Sequence, residues 1–164
     1  MQNMSPHPVI FGNLEWRTAE ALFQALRFVS YENGEVVTDS GGNLVRDEHG
    51  IVTKIWRQKS PMGAKMVTKS VRHLVSVEPY SGRDLDNMLL VLNLKLQQHP
   101  DLAILLSDTG DDELIEDCSR RMGGSGLFWG AALMPWGRWI GENHLGKLWM
   151  DLREDLRRSS YVPM

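Results

Sequence analysis

Three polar side chains share one face of a predicted helix near the N-terminal end of the sequence. Glu20, Gln24 and Arg27 follow the spacing i, i+4, i+7, which places them on the same side of a helix. One interpretation is an exposed polar face with a weak ion pair. The other is a stripe that lines a pocket, in which Glu20 is a working carboxylate and Trp16 forms a wall. Such a carboxylate can stabilise a cationic transition state or move protons.

Two lysines, Lys65 and Lys69, share a face of a second predicted helix. Lysines on helices are usually solvated, but a lysine beside a pocket and other cations can act as a nucleophilic amine. Glu116 and Asp117 follow the apolar pair at 114–115, and one of them can face inward. No spacing rule selects which one, so periodicity alone leaves these roles open.

Several other chemistries lack the residues they need. Cys118 is the single cysteine, so it forms no disulfide within the chain, and no grouping of cysteine and histidine has zinc-site spacing. The five histidines are scattered and none pairs with a serine or cysteine. The glycines at 123–126 follow no clear strand and are a weak phosphate-loop signal, and the acidic run at 108–112 lacks calcium-loop spacing. We therefore predict neither a metal site nor a cofactor.

Apolar spacing predicts four strong helices and one short one. The first runs from about 19 to 29 behind the N-cap Thr18. The second begins at Ser60-Pro61, a cap followed by proline at the first helical position. The others are predicted over 85–98, 101–107 and 142–158. Apolar residues cover most of the helix at 85–98, so we expect it to be nearly all buried.

Two long stretches lack helical spacing. Residues 32–55 contain turn signals between short apolar pairs, which predicts hairpin strands at Val36-Val37, Leu44-Val45 and Ile51-Val52. We interpret this stretch as an insertion between the first two helices. Residues 119–141 hold six glycines and three tryptophans. Because loops this long are uncommon unless functional or disordered, and tryptophans argue against disorder, we predict an ordered, aromatic-lined loop that closes over something.

The composition is that of a soluble globular protein. The chain has 164 residues, of which 42% are hydrophobic and 24% are charged, and this length suits one domain. No apolar run approaches the roughly 20 residues that span a bilayer, and the N-terminus lacks the regions of a signal peptide. We therefore expect a cytoplasmic protein. The net charge of −3 excludes a generally basic, DNA-coating protein but not a local basic site.

The charges are unevenly distributed along the chain. Residues 49–77 contain six lysines and arginines and no acidic residue, whereas residues 96–119 contain seven acidic residues and no lysine or arginine. One interpretation is two complementary solvated faces. The other is a basic patch that receives phosphates.

Four blocks of sequence together resemble the NADAR superfamily, also called YbiA-like. Residues 16–28 resemble the family pattern W-x-T-x-E-x-x-F-Q-A-x-[KR]-F, and residues 60–65 form the second block. The third block joins Thr109-Gly110-Asp111 and Leu114-Ile115-Glu116 to Phe128-Trp129-Gly130. Residues 141–153 resemble G-x-N-x-L-G-x-x-L-M-x-x-R. The blocks occur in the family's order and cover most of the chain except the insertion at 32–55.

The resemblance implies a mainly α, compact multihelical YbiA-like fold with a small β-hairpin insertion, in a single domain over residues 1–164. It also implies an N-glycosidase, a hydrolase that acts on N-glycosidic bonds, with Glu20 as the catalytic carboxylate and Lys65 as an amine that forms a Schiff base with an opened ribose. Implied substrate contacts are Trp16, Gln24, Arg27, Glu116, Asp117, Trp129, Gly130 and Asn143. Among these, Arg27 would hold phosphates, Trp129 would stack on the base, and Asn143 would bind ribose hydroxyls or phosphate.

Members of this family act on two substrate classes. Some cleave ribosylamino-pyrimidine phosphates of riboflavin biosynthesis, and others remove ADP-ribose from guanine in nucleic acid. Here Arg27 and Gly126-Leu127 depart from the riboflavin type, which usually has lysine and aspartate there, and the second block looks more like the ADP-ribosyl-guanine type. We therefore expect an ADP-ribosyl-guanine hydrolase whose partners are ADP-ribosylated guanine nucleotides or nucleic acid and an ADP-ribosyltransferase toxin. The alternatives are the riboflavin-type activity and a non-catalytic module that binds ADP-ribose or a nucleotide.

Overall fold

Helices dominate the described part of the chain, which is residues 7–45 and 49–160 of a computed structural model. These residues form seven α-helices and six strands of two or three residues each. The strands pair as three antiparallel hairpins. The predicted mainly α fold with small hairpins is therefore confirmed. None of these helices combines the length and the apolar character that a membrane span requires.

The chain divides into two compact units, Met1–His99 and Pro100–Met164. The first contains β1 (Val9–Phe11), β2 (Leu14–Trp16), α1 (Ala19–Ala25), β3 (Tyr31–Glu32), β4 (Glu35–Val36), α2 (Ile51–Trp56), α3 (Pro61–Ser70) and α4 (Gly82–Gln98). The second contains α5 (Pro100–Asp108), α6 (Gly126–Trp129), β5 (Ala132–Leu133), β6 (Trp139–Ile140) and α7 (His144–Ser160). A single domain over residues 1–164 stays a prediction.

Helix α1 is the buried centre of the first unit. It begins as predicted, because the Thr18 side chain accepts a hydrogen bond from the Ala21 N–H at 3.1 Å, and it continues as a 3-10 turn to Phe28. Helices α2, α3 and α4 all pack against it. All seven residues of α1 are buried. Its polar side chains therefore point into protein rather than into water.

Helix α4 buries one face, and the prediction that it is nearly all buried is wrong. Its buried residues are Asp84, Asn87, Met88, Val91, Leu92, Lys95 and Leu96. Asp86 and Gln97, on the other side, are exposed. The buried face packs against α1 and β1, which leaves the opposite side uncovered. Three of the seven buried residues are polar, a feature that apolar periodicity does not reveal.

The predicted insertion at 32–55 is only partly made of hairpin strands. Val36 pairs with Tyr31 across the turn at Asn33-Gly34, and Thr38 forms a single bridge with Leu44. The strand predicted at 51–52 is wrong, because these residues begin helix α2, whose Ile51, Val52 and Ile55 are buried. Burial against α1 and α3 outweighs the strand preference of a β-branched pair. Residues 46–48 lie outside the described part.

The stretch at 119–141 is ordered but is not the plain loop that the sequence predicts. It contains the short helix α6 and the β5–β6 hairpin. Phe128 and Trp129 are half-buried and meet edge to face, with ring centroids 5.0 Å apart. Trp136, in the hairpin turn, is 62% exposed. That this segment closes over something stays a prediction.

Candidate active site

Glu20 lies inside the first unit, in the first turn of α1, and only 2% of its surface is exposed. The interpretation as an exposed polar face is therefore wrong. Its Oε1 accepts a hydrogen bond from Gln24 Nε2 at 2.8 Å and lies 3.6 Å from Lys65 Nζ. The start of α1 also favours an acidic side chain at this position. A buried carboxylate is thus held between an amide and a lysine.

Lys65 reaches Glu20 from helix α3. The start of α3 is fixed as the sequence predicts, because the Ser60 hydroxyl accepts a hydrogen bond from the Gly63 N–H at 3.1 Å and Pro61 follows the cap. The Lys65 side chain is 36% exposed, whereas Lys69, one turn later, is exposed. The structure therefore brings Lys65, rather than Lys69, to the carboxylate.

Arg27 lies at the other end of the predicted polar stripe, and its guanidinium is paired. Its Nε and NH2 groups donate to Asp84 Oδ1 and Oδ2 at 2.8 and 2.7 Å, and NH1 donates to Gln24 Oε1 at 3.2 Å. The predicted stripe is therefore one connected chain of contacts from Glu20 to Asp84. Sequence reasoning missed Asp84, because an aspartate in the first turn of α4 looks like an ordinary helix-start residue.

Lys95 is the second residue that sequence reasoning missed. It lies on the buried face of α4 and is 1% exposed. Burial lowers its pKa to about 8, against the opposing effect of the Glu20 charge. A lysine in the middle of the apolar stripe of a predicted core helix was the available signal. Its lowered pKa gives the site an amine that is partly neutral near physiological pH.

Trp16 ends strand β2, pairs in register with Val9 and is buried. Its indole Nε1 is buried and has no hydrogen-bond partner in the described part of the chain. Its predicted role as a pocket wall stays a prediction.

Within the described residues, no group of three or more His, Cys, Asp and Glu could hold a metal ion.

In the second unit, Asn143 fastens two backbone segments together. Its Nδ2 donates to the Leu114 carbonyl at 2.8 Å, and its Oδ1 accepts from the Glu116 N–H at 3.0 Å. Its φ of 52° lies in the left-handed region, which asparagine tolerates better than most residues. Both ends of this amide therefore bind backbone groups of the protein. Its predicted contact with ribose or phosphate stays a prediction.

The other predicted residues of the second unit lie in two segments, 116–117 and 129–130, which are joined by the bridge between Asp117 and Ala131. A Cβ on Gly130 would lie 2.1 Å from the Glu116 carbonyl oxygen, so only glycine fits there without a shift. Asp117 is exposed and accepts two hydrogen bonds from Ser119, which lower its pKa. Trp129 is the half-buried end of α6. Their roles toward a substrate stay predictions.

Gly146→Ala is expected to destabilise the protein by about 1–3 kcal/mol, the usual cost of overpacking. The added Cβ would lie 2.1 Å from the Leu114 carbonyl oxygen and within 2.6 Å of the Asn143 amide. Thermal unfolding measures the effect. Gly123→Ala is the matched control, since nothing lies within 4 Å of its added Cβ. Equal melting temperatures for the two variants would contradict this packing.

Comparison with known proteins agrees with the four sequence blocks. The NADAR domain model matches residues 1–157. A relative named N-glycosidase Npun_R5314, from Nostoc punctiforme, is 27% identical over 155 residues, which are 94% of this chain and 83% of that protein. The NMR structure of the E. coli protein YbiA matches with a TM-score of 0.70 and 25% identity, covering 99% of this chain and 81% of the other. The chain therefore belongs to the NADAR domain family.

Proposed function

We propose that the protein is an N-glycosidase that hydrolyses an N-ribosidic bond. The observation that carries this proposal is the buried Glu20 carboxylate, with Lys65 at 3.6 Å and the charge of Lys95 within electrostatic reach. Cleavage of an N-riboside develops positive charge on the sugar, and a nearby carboxylate stabilises that charge or moves a proton. The relative that is named an N-glycosidase supports the same class of reaction.

A lysine amine completes the proposed mechanism by splitting one difficult step into two. Its nitrogen bonds to the anomeric carbon as the bond between that carbon and the base breaks, and the base leaves with a proton. Opening of the sugar ring converts this adduct into an imine. Water then hydrolyses the imine, which releases the sugar and restores the free lysine. In this mechanism Glu20 transfers protons in both steps.

Two lysines compete for the role of this amine. Lys65 is the residue expected from the sequence and is the more accessible of the two. Lys95 is the stronger candidate, because burial lowers its pKa to about 8 and so favours the neutral amine that attacks carbon. Lys95 is also tied to Glu20, because α4 packs against α1 and the Glu20 charge acts on the Lys95 ammonium, so a substrate held at Glu20 comes close to this lysine. We therefore assign the attack to Lys95 and a charge-stabilising role to Lys65.

The substrate that we propose is ADP-ribose attached to guanine, in nucleotides or nucleic acid. The basic residues around the first unit's helices α2 and α3 are exposed, as a phosphate-binding surface requires: Lys54, Arg57, Lys59, Lys69 and Arg72. ADP-ribose carries a diphosphate and nucleic acid adds backbone charge, so this substrate would use more cations than a pyrimidine monophosphate.

ADP-ribosylated guanine is expected to be cleaved faster than a ribosylamino-pyrimidine phosphate. Initial rates of release, measured side by side at equal substrate concentration, test this. When the guanine lies in an oligonucleotide, we also expect the rate below saturation to fall more steeply with salt, because phosphate contacts release counterions. Faster cleavage of the pyrimidine compound would reverse this assignment.

A further inference from the structure

The amide of Gln24 is held at both ends by charged side chains. We propose that Arg27 and Asp84 are positioning residues, which fix the orientation of this amide so that it donates its hydrogen bond to Glu20. The inference rests on the proposed function, in which Glu20 is the catalytic carboxylate. It differs from the phosphate-binding role that the family resemblance implies for Arg27.

The chemistry of the three groups decides which way the amide points. A guanidinium only donates hydrogen bonds, and an ionised carboxylate only accepts them. The Gln24 oxygen must therefore face Arg27, at 3.2 Å from NH1, and the Gln24 nitrogen must face Glu20, at 2.8 Å from Oε1. The reverse orientation would set oxygen against carboxylate and nitrogen against guanidinium. All three residues are buried, so water cannot relieve those contacts.

Asp84 fixes Arg27 from the other side. The two-point pair at 2.8 and 2.7 Å holds the plane of the guanidinium, and the Tyr80 N–H donates to Asp84 Oδ2 at 2.9 Å. The Phe23 ring lies under the guanidinium, with its centroid 4.7 Å from Cζ. Asp84 is fully buried. Its planar, two-point pair with arginine fixes the orientation of the cation more closely than a pair with lysine would.

These contacts leave Arg27 poorly suited to bind phosphate. The residue is buried, and its Nε, NH1 and NH2 groups all donate to protein acceptors within 3.2 Å. A phosphate could reach only the two remaining guanidinium N–H groups, beside the buried Asp84 carboxylate, whose negative charge opposes a second anion there. The exposed lysines and arginines of α2 and α3 meet no such obstacle.

A double-mutant cycle of Arg27→Lys and Gln24→Met tests the inference. Lysine keeps the charge but cannot pair with Asp84 at two points and also reach Gln24. We expect each single variant to lower kcat by about 10-fold with little change in KM. The kcat of the double variant should be no lower than that of the less active single variant, because both changes act through the same amide. The loss should be the same for a riboside without phosphate. Additive losses, or a rise in KM confined to substrates with phosphate, would overturn the inference.

Arg83→Lys is the matched control, because Arg83 is the next residue before Asp84 and bonds to the Gly34 carbonyl instead. Thermal unfolding shows whether each variant folds. If Arg27→Lys does not fold, Asp84→Asn takes its place in the cycle, since asparagine keeps the shape and weakens the pair. An unchanged kcat in folded Asp84→Asn would also overturn the inference.

A readout without turnover separates this inference from the proposed function. The side-chain amide of Gln24 gives its own signal in the NMR spectrum of the 15N-labelled full chain. We expect Asp84→Asn to shift that signal through Arg27, and Arg83→Lys to leave it in place. An unmoved signal in Asp84→Asn overturns the inference. Absence of turnover on every riboside, together with a shifted signal, would overturn only the proposed function.

Discussion

Glu20→Gln is expected to lower turnover by about 100-fold or more, the scale of a lost general acid or base. Glutamine keeps the shape of the side chain, and its oxygen can still accept the hydrogen bond from Gln24. It removes the negative charge that stabilises the developing positive charge on the sugar. The variant should fold, because Lys65 remains partly exposed to water and Lys95, whose pKa burial already lowers to about 8, can lose its charge. Steady-state release of the base measures the effect.

Glu15→Gln is the control for this prediction. Glu15 is an exposed glutamate of strand β2, shortly before Glu20 in the chain. Its replacement removes the same charge without touching the buried cluster, so turnover should stay within about twofold of the wild type. A nearly unchanged rate in Glu20→Gln would remove this carboxylate from the mechanism.

Lys95→Met is expected to abolish a covalent adduct and to lower turnover by about 100-fold or more. Borohydride added during turnover reduces an imine to a stable amine, which mass spectrometry of peptides maps to one lysine. We expect the label on Lys95. Methionine fills a similar volume in the core and removes a buried charge, so the fold should persist. Lys65→Arg is the matched comparison and should still form the adduct.

Trapping of the adduct on Lys95 is expected to increase with pH. Burial disfavours the ammonium form of Lys95, so its pKa in the folded protein is about 8. The neutral fraction therefore rises from about a tenth at pH 7 to about nine tenths at pH 9. Trapping should rise across the same range, with a midpoint near 8. A label on Lys65, or loss of the adduct in Lys65→Arg, would return the attack to Lys65.

Local signals in the sequence were sufficient to predict the helices that carry the site. The caps at Thr18 and Ser60 act within three residues of themselves, so they hold in the structure as predicted. The spacing of Glu20, Gln24 and Arg27 likewise placed them on one face. Whether that face met water or protein could not be read from spacing, because it depends on which helices cover α1.

The residues that sequence reasoning missed depend on contacts between distant segments. Asp84 pairs with Arg27 across 57 positions of the chain. In the sequence, Lys95 only interrupts an apolar stripe. Its burial follows from the packing of α4 against α1, which local sequence does not specify. The helix at Ile51 was also missed, since a β-branched pair between turns favours a strand unless burial decides otherwise.

The buried Glu20 cluster is proposed to serve hydrolysis of an N-ribosidic bond. A product-resolved assay on a panel of ribosides, with ADP-ribosylated guanosine beside the pyrimidine ribosides, tests it most directly. Mass spectrometry should find the free base, or guanosine from the ADP-ribosylated compound, together with a sugar that carries a new anomeric hydroxyl. These products should form in wild type and in Glu15→Gln, and about 100-fold more slowly in Glu20→Gln. Calorimetry on the same samples shows whether each compound binds. Tight binding of ADP-ribosylated guanosine without cleavage of this or any other riboside would contradict hydrolysis and leave a binding module in place of an enzyme.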